Sequence, residues 1–177
     1  MDPRSDWRLD LCPADLAAHY GPDGPVATAL RWAEAVVDGR LAEAWPTTAS
    51  LFRLALTRRW CWWRRGRLHA DGHDPLLIAA ALADDDGPAH PLWPDFARSQ
   101  RPPGPVASDG PAGRWVAAGP PEPVGPDLEV VELLPAETAG TDHHAPPLTL
   151  LLRMGPSGWL VAGHGRLPLR AGWPPCR

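Results

Sequence analysis

Between Arg101 and Asp127 about half the residues are proline or glycine, and this stretch separates two kinds of sequence pattern. Proline lacks a backbone donor and glycine loses much entropy on ordering, so neither a long helix nor a central strand runs through such a segment. Upstream, apolar residues recur every three or four positions; downstream, they form short valine- and leucine-rich runs. Helices first and strands afterwards is the order of an α+β fold. A hydrophobic share of 44% and a charged share of 21% are globular values, and 177 residues can bury one substantial core. The expected organisation is an N-terminal arm over 1–24 and a single α+β domain over 25–177, with 101–127 as its Pro/Gly-rich loop.

The upstream part predicts a short helix in "PADLAAHYG" (Pro13 to Gly21) and a long one opening at "DGPVATAL", capped by Gly24 with Pro25 at its first position. Val26, Leu30, Ala33, Val37 and Leu41 mark its expected buried face. "DGR" (Asp38 to Arg40) breaks it, and "LAEAW" resumes a short helix ending at Pro46. Ser50 to about Arg65 forms the next helix. Asp74 caps another that begins at Pro75 and stops near Ala83, where "DDDG" puts like charges against the helix dipole. "HPLWPDFAR" adds one more turn. Inside the Pro/Gly-rich stretch only "RWVAA" (Arg114 to Ala118) reads as a strand. "LEVVELL" (Leu128 to Leu134) and "LTLLLRM" (Leu148 to Met154) are stronger, and the second joins "WLVAGH" (Trp159 to His164) through the hairpin signal "GPSG".

The segment "LTRRWCWWRRGR" (Leu56 to Arg67) sets three tryptophans among five arginines. On a helical wheel Leu51, Phe52, Ala55, Leu56, Trp62 and Trp63 share one broad face, with Arg53, Thr57 and Arg64 opposite. The rings after residue 59 are therefore expected to turn inward, with Arg58 stacked on Trp62, while most guanidinium groups meet water. Arg59 falls within the apolar face. A buried guanidinium has to be paired, so it meets a structural carboxylate or the anionic group of a ligand. Arg59, Trp60 and Trp63 are the candidate ligand-binding residues. A nucleic-acid accessory role would use Arg53, Arg64 and Arg67 on phosphates and would need aromatic faces free for stacking, which inward rings disfavour.

The formal net charge is −4, so outside this basic segment the chain is strongly acidic and unsuited to anionic lipid. The longest apolar run, Pro75 to Ala83, is too short to span a membrane. All 17 basic residues are arginine, lysine and asparagine are absent, and Ile78 is the only isoleucine, the bias of a GC-rich bacterial genome. Arginine here is thus no sign of bidentate recognition. Cys12, Cys61 and Cys176 show no CxxC spacing, which indicates neither a disulfide framework nor a zinc site. The charged start "MDPRSDWRLD" lacks the apolar core of a secretion signal, and a cytoplasmic location is expected.

"ALRWAEAVVDGRLAEAW" (Ala29 to Trp45), with its Asp-Gly break, and "PPLTLLLRMGPSGWLVAGH" (Pro146 to His164) resemble the nuclear transport factor two-like superfamily, which includes the SnoaL-like proteins. The resemblance covers about a third of the chain. It implies a cystatin-like cone: N-terminal helices packed on a strongly curved antiparallel sheet, with an open pocket between them. Relative to that pattern, Leu51 to Asp127 reads as a helical and Pro/Gly-rich insertion able to fill or roof the pocket. Members include isomerases, dehydratases, cyclases and many binding proteins, so the fold does not choose a function.

Tyr20, the only tyrosine, lies in the arm, so the phenol donor of the superfamily's isomerases has no counterpart on a strand. Glu132 shares a face with Leu128, Val130 and Leu134; it is the partner of Arg59 in the preferred reading, and a catalytic base in the other. His164 is read as a satisfied edge histidine, with general base as the alternative. "HADGHD" (His69, Asp71, His73, Asp74) and "DHH" (Asp142, His143, His144) sit in polar turns where solvated histidines are the default, and neither a metal nor a cofactor is expected. The leading expectation is a non-catalytic binder of a small molecule or a protein partner, with a homodimer as one form. An isomerase-, dehydratase- or cyclase-type enzyme is the alternative, and it needs Glu132 or His164 to converge with Arg59 on one cavity.

Overall fold

A computed structural model describes residues 13–100, 115–136 and 147–165. Residues 1–12 of the expected arm, most of the Arg101–Asp127 stretch, the "DHH" histidines, Cys12 and Cys176 lie outside them. The class is α+β, with helices α1 (Pro13–Tyr20), α2 (Pro25–Val37), α3 (Leu41–Ala44), α4 (Ser50–Ala70), α5 (Pro75–Ala83) and α6 (Trp93–Ser99) preceding an antiparallel sheet. Its strands are β1 (Trp115–Ala117), β2 (Glu122–Gly125), β3 (Leu128–Pro135), β4 (Leu148–Gly155) and β5 (Gly158–His164). The chain divides into two compact units, and the division falls within α2: one unit holds α1, α2 up to Glu34 and the sheet, the other Ala35 onward through α6.

In the sheet unit, β3 pairs with β4 and β4 with β5, all antiparallel. β1 and β2 share the other edge of β3, facing Leu133–Pro135 and Leu128–Val130 respectively. β2 was not foreseen within the Pro/Gly-rich stretch. Its Pro123 is tolerated because an edge strand needs no donor on its outer side. The β4–β5 hairpin turns through Pro156 and Ser157, and Gly158 takes φ 120°, a value only glycine adopts without strain.

Register assigns the faces. Val131 lies opposite Leu150 and Leu150 opposite His164, so these three share one face; Glu129, Leu133, Leu152 and Val161 belong to it too. Leu133, Leu150, Leu152 and Val161 are buried there. The helices of this unit lie on that same face: α1 brings His19 to Glu129, and α2 sets Trp32 edge-on to His164 with ring centroids 5.5 Å apart. The buried side of α2 is Val26, Ala29, Trp32, Ala33 and Val36. Leu30 and Val37, expected inside, are half-buried because Trp32, the widest side chain on the helix, rotates the buried face toward itself.

In the helical unit, Gly39 at φ 74° ends α2 at the expected break, and a 3-10 turn over Trp45–Thr47 follows α3. α4 runs five residues beyond the expected end. Asp74 caps α5 by accepting from the Leu76 N–H at 2.8 Å. The core is aromatic: Trp45 meets Trp93 and Phe96 edge-to-face at 4.9 and 5.6 Å, and Trp60 meets Phe96 at 5.9 Å. The Trp45 indole N–H donates to the Asp84 carbonyl at 3.0 Å, which satisfies its polar end.

Candidate functional site

α4 does not bury the face its sequence predicts. Phe52, Arg53, Ala55, Thr57, Trp60, Cys61 and Leu68 are buried, whereas Arg59 is exposed and Trp63 is 77% exposed. The inward turn of the rings after residue 59 holds for Trp60, half-holds for Trp62 and fails for Trp63. The buried guanidinium is that of Arg53, not Arg59. It lies over the Trp45 ring at 5.8 Å, and its Nε donates to the Thr48 carbonyl at 2.8 Å and its Nη1 to Asp85 at 2.6 Å. An arginine can lay its alkyl stem along apolar surface while the head finds acceptors, so it displaced the tryptophans from the face that meets Trp45. Only the acidic run after α5 could have pointed to this pair.

The other expected site residues disperse as well. Trp60 belongs to the aromatic core, where its indole N–H is buried without a hydrogen-bond partner among the described residues and Arg64 stacks over its ring at 5.1 Å. Arg65, not Arg58, covers the Trp62 ring, at 4.1 Å. Of the arginines considered for phosphate contact, Arg53 is buried, Arg64 pairs with Asp95 at 3.6 Å, and Arg67 pairs with Asp71 at 3.8 Å. His69, His73 and Asp71 are exposed, and among the described residues no three His, Cys, Asp or Glu side chains group as metal ligands.

Glu132 and His164 point to opposite faces of the sheet, since Glu132 follows Val131 and His164 is in line with it. Glu132 therefore lies on the face away from α1 and α2, and the two side chains do not converge. The carboxylate that meets a helix is Glu129, one position earlier on β3, 3.4 Å from His19 Nδ1. Burial pushes the Glu129 carboxyl above the usual carboxylate range, and the His19 contact draws it partly back. Its half-polar strand position carries no pattern that sets it apart from Glu132, so alternation alone did not single it out.

Two concave sites stand out. In the sheet unit a cavity of about 300 Å³ lies between α2 and β1, walled by Tyr20, Val26, Ala27, Leu30, Trp115 and Val116. Among the described residues its lining holds no carboxylate, imidazole, thiol or guanidinium. The Tyr20 hydroxyl donates to the Gly119 carbonyl at 3.2 Å, while the indole N–H of Trp115 is buried and has no hydrogen-bond partner among the described residues. A buried donor left unpaired costs about 1–3 kcal/mol, so an acceptor brought to this N–H would be stabilised by it. In the helical unit a groove of about 240 Å³ runs between α4 and α5, bounded by Arg58, Trp62, Arg65, His69, Leu76 and Ala79. No family model matches the sequence, and neither a curated protein nor a solved structure matches the chain.

Proposed function

We propose that the protein is a non-catalytic binder of a small neutral molecule, held in the cavity between α2 and β1, within a cystatin-like cone of the nuclear transport factor two-like type. The observation that carries this reading is the apolar lining of that cavity, with the Trp115 indole N–H buried beside it and unpartnered among the described residues. Apolar walls favour an apolar ligand body, and one isolated donor selects a ligand with one acceptor, such as a ketone or an ether. A charged ligand is disfavoured, because no lining group would compensate its desolvation. Apart from the Tyr20 hydroxyl, which donates to the Gly119 carbonyl, the described lining holds no acid or base, which favours binding over isomerase or dehydratase activity.

The test follows the Trp115 indole proton by NMR, assigned with Trp115→Phe, during titration with neutral ketones from cyclohexanone upward in size. Saturable displacement of that one indole signal is expected. Trp115→Phe should weaken the affinity about fivefold, the worth of one net hydrogen bond of about 1 kcal/mol. Ala27→Trp, which fills the cavity, should abolish binding. If the ketones leave the Trp115 signal in place, the proposal fails.

A further inference from the structure

α5 carries no charged or polar side chain over its nine residues, yet buries only Ala79 and Leu82. Outward it presents Leu77, Ala80, Ala81 and, just past its end, Asp84, at the three- and four-residue spacings of one helical stripe. Leu77 is 70% exposed, and Leu76 beside it 52%. A helix apolar all round is normally covered on every side, so this stripe has no cover among the described residues.

The surroundings of α5 carry opposite charge at its two ends. Near its N-terminal end, Arg58 and Arg65 of α4 flank Leu76 across the groove, beside one carboxylate, the capping Asp74, whose Oδ1 accepts from the Leu76 N–H. Two guanidinium groups against one carboxylate leave this end net basic. Neither takes part in an ion pair among the described residues, whereas Arg53, Arg64 and Arg67 of the same helix each have a carboxylate. At the C-terminal end Asp84 and Asp86 are exposed and likewise outside any ion pair, Asp85 being held by Arg53. Net basic at one end, apolar along the middle and acidic at the other, the surface complements itself when turned by half a revolution.

We infer that α5 is the contact helix of a twofold homodimer, in which two copies of α5 lie antiparallel and the Asp84–Asp86 end of each meets the Arg58 and Arg65 side of the other. Nine residues span about 14 Å at 1.5 Å each, short enough for both ends to be engaged at once. Ala80 and Ala81 at the middle allow the two axes to approach to about 8 Å. An interface of this extent falls at the small end of specific contacts, so association is concentration-dependent rather than obligate. The inference is independent of the ligand cavity.

Sedimentation equilibrium of the full chain from micromolar to millimolar concentration is the test. The molar mass is expected to rise from that of a monomer to that of a dimer. Leu77→Glu or Ala81→Glu, both at exposed positions and checked for unchanged circular dichroism, should abolish the rise. Arg65→Glu should weaken association at least tenfold, and adding Asp86→Arg to the same chain should restore it, because the reversed pair attracts again. A chain that stays monomeric throughout, or a dimer indifferent to Leu77→Glu and Ala81→Glu, overturns the inference.

Discussion

The sheet and the helix α4 bury charge in contrasting ways. On β3, Glu129 sits among leucines and valines because strand alternation forces it to, and its partner His19 arrives from α1. On α4, Arg53 replaces the tryptophan or leucine that the pattern would put inside, and finds Thr48, Trp45 and Asp85 around it. A strand offers two faces 180° apart, so a side chain has no intermediate position to take. A helix offers a continuous surface. Where most of its residues are wide and amphipathic, several rotations bury similar areas, and the neighbours choose among them.

The largest effect that would sharpen this comparison is at Trp45, 1% exposed and in contact with Trp93, Phe96 and Arg53. Trp45→Ala is expected to cost about 3–5 kcal/mol in urea unfolding, since it removes the centre of the aromatic core. Arg53→Ala comes next, at about 1–3 kcal/mol, because it leaves the Thr48 carbonyl without its side-chain donor. Asp85→Asn should cost less than Arg53→Ala, as the carboxylate is 84% exposed and water replaces most of what it gives. Equal losses at the two positions would show that the ion pair, rather than the burial of Arg53, holds this corner.

Glu129 supplies the pH-dependent counterpart. Its carboxyl is raised by burial, so the folded chain holds the proton more tightly than the unfolded chain does. The stability this gives is fully present below the ordinary glutamate value of about 4.3 and is lost as pH rises through the folded-state value. Glu129→Gln stays neutral throughout. Its stability relative to the natural chain should therefore grow as pH rises from about 4 toward neutrality, measured as urea midpoints across that series. A difference that is constant with pH would remove the raised carboxyl from the account.

The smallest effects belong to the exposed side of α4. Arg59→Ala and Trp63→Ala should each change stability by no more than about 0.5 kcal/mol, since neither side chain is enclosed. A cost at Trp63 approaching that at Trp45 would reverse the orientation assigned to α4.

Much of the helix and strand layout could be read from residue order. Gly24–Pro25, Asp38–Gly39, Asp74–Pro75 and the "GPSG" turn act within a few residues of themselves, and the structure begins or ends elements at each of them. β2 escaped notice because its proline and glycine imitate a loop when the edge of β3 is out of sight. The candidate site was far less legible. Trp115 looked like part of a short strand in a loop, and the space beside it is walled by Tyr20 and α2, which come from a distant part of the chain.

Local chemistry along the chain thus determined the class, the order of elements and most of their limits, since caps, breaks and alternation act over single turns. The choice of Arg53 over Arg59, of Glu129 over Glu132, and of Trp60 over Trp63 belonged to the tertiary structure alone. Each pair differs in which neighbour arrives from a distant segment, and burial energies of comparable size can be decided only by that neighbour.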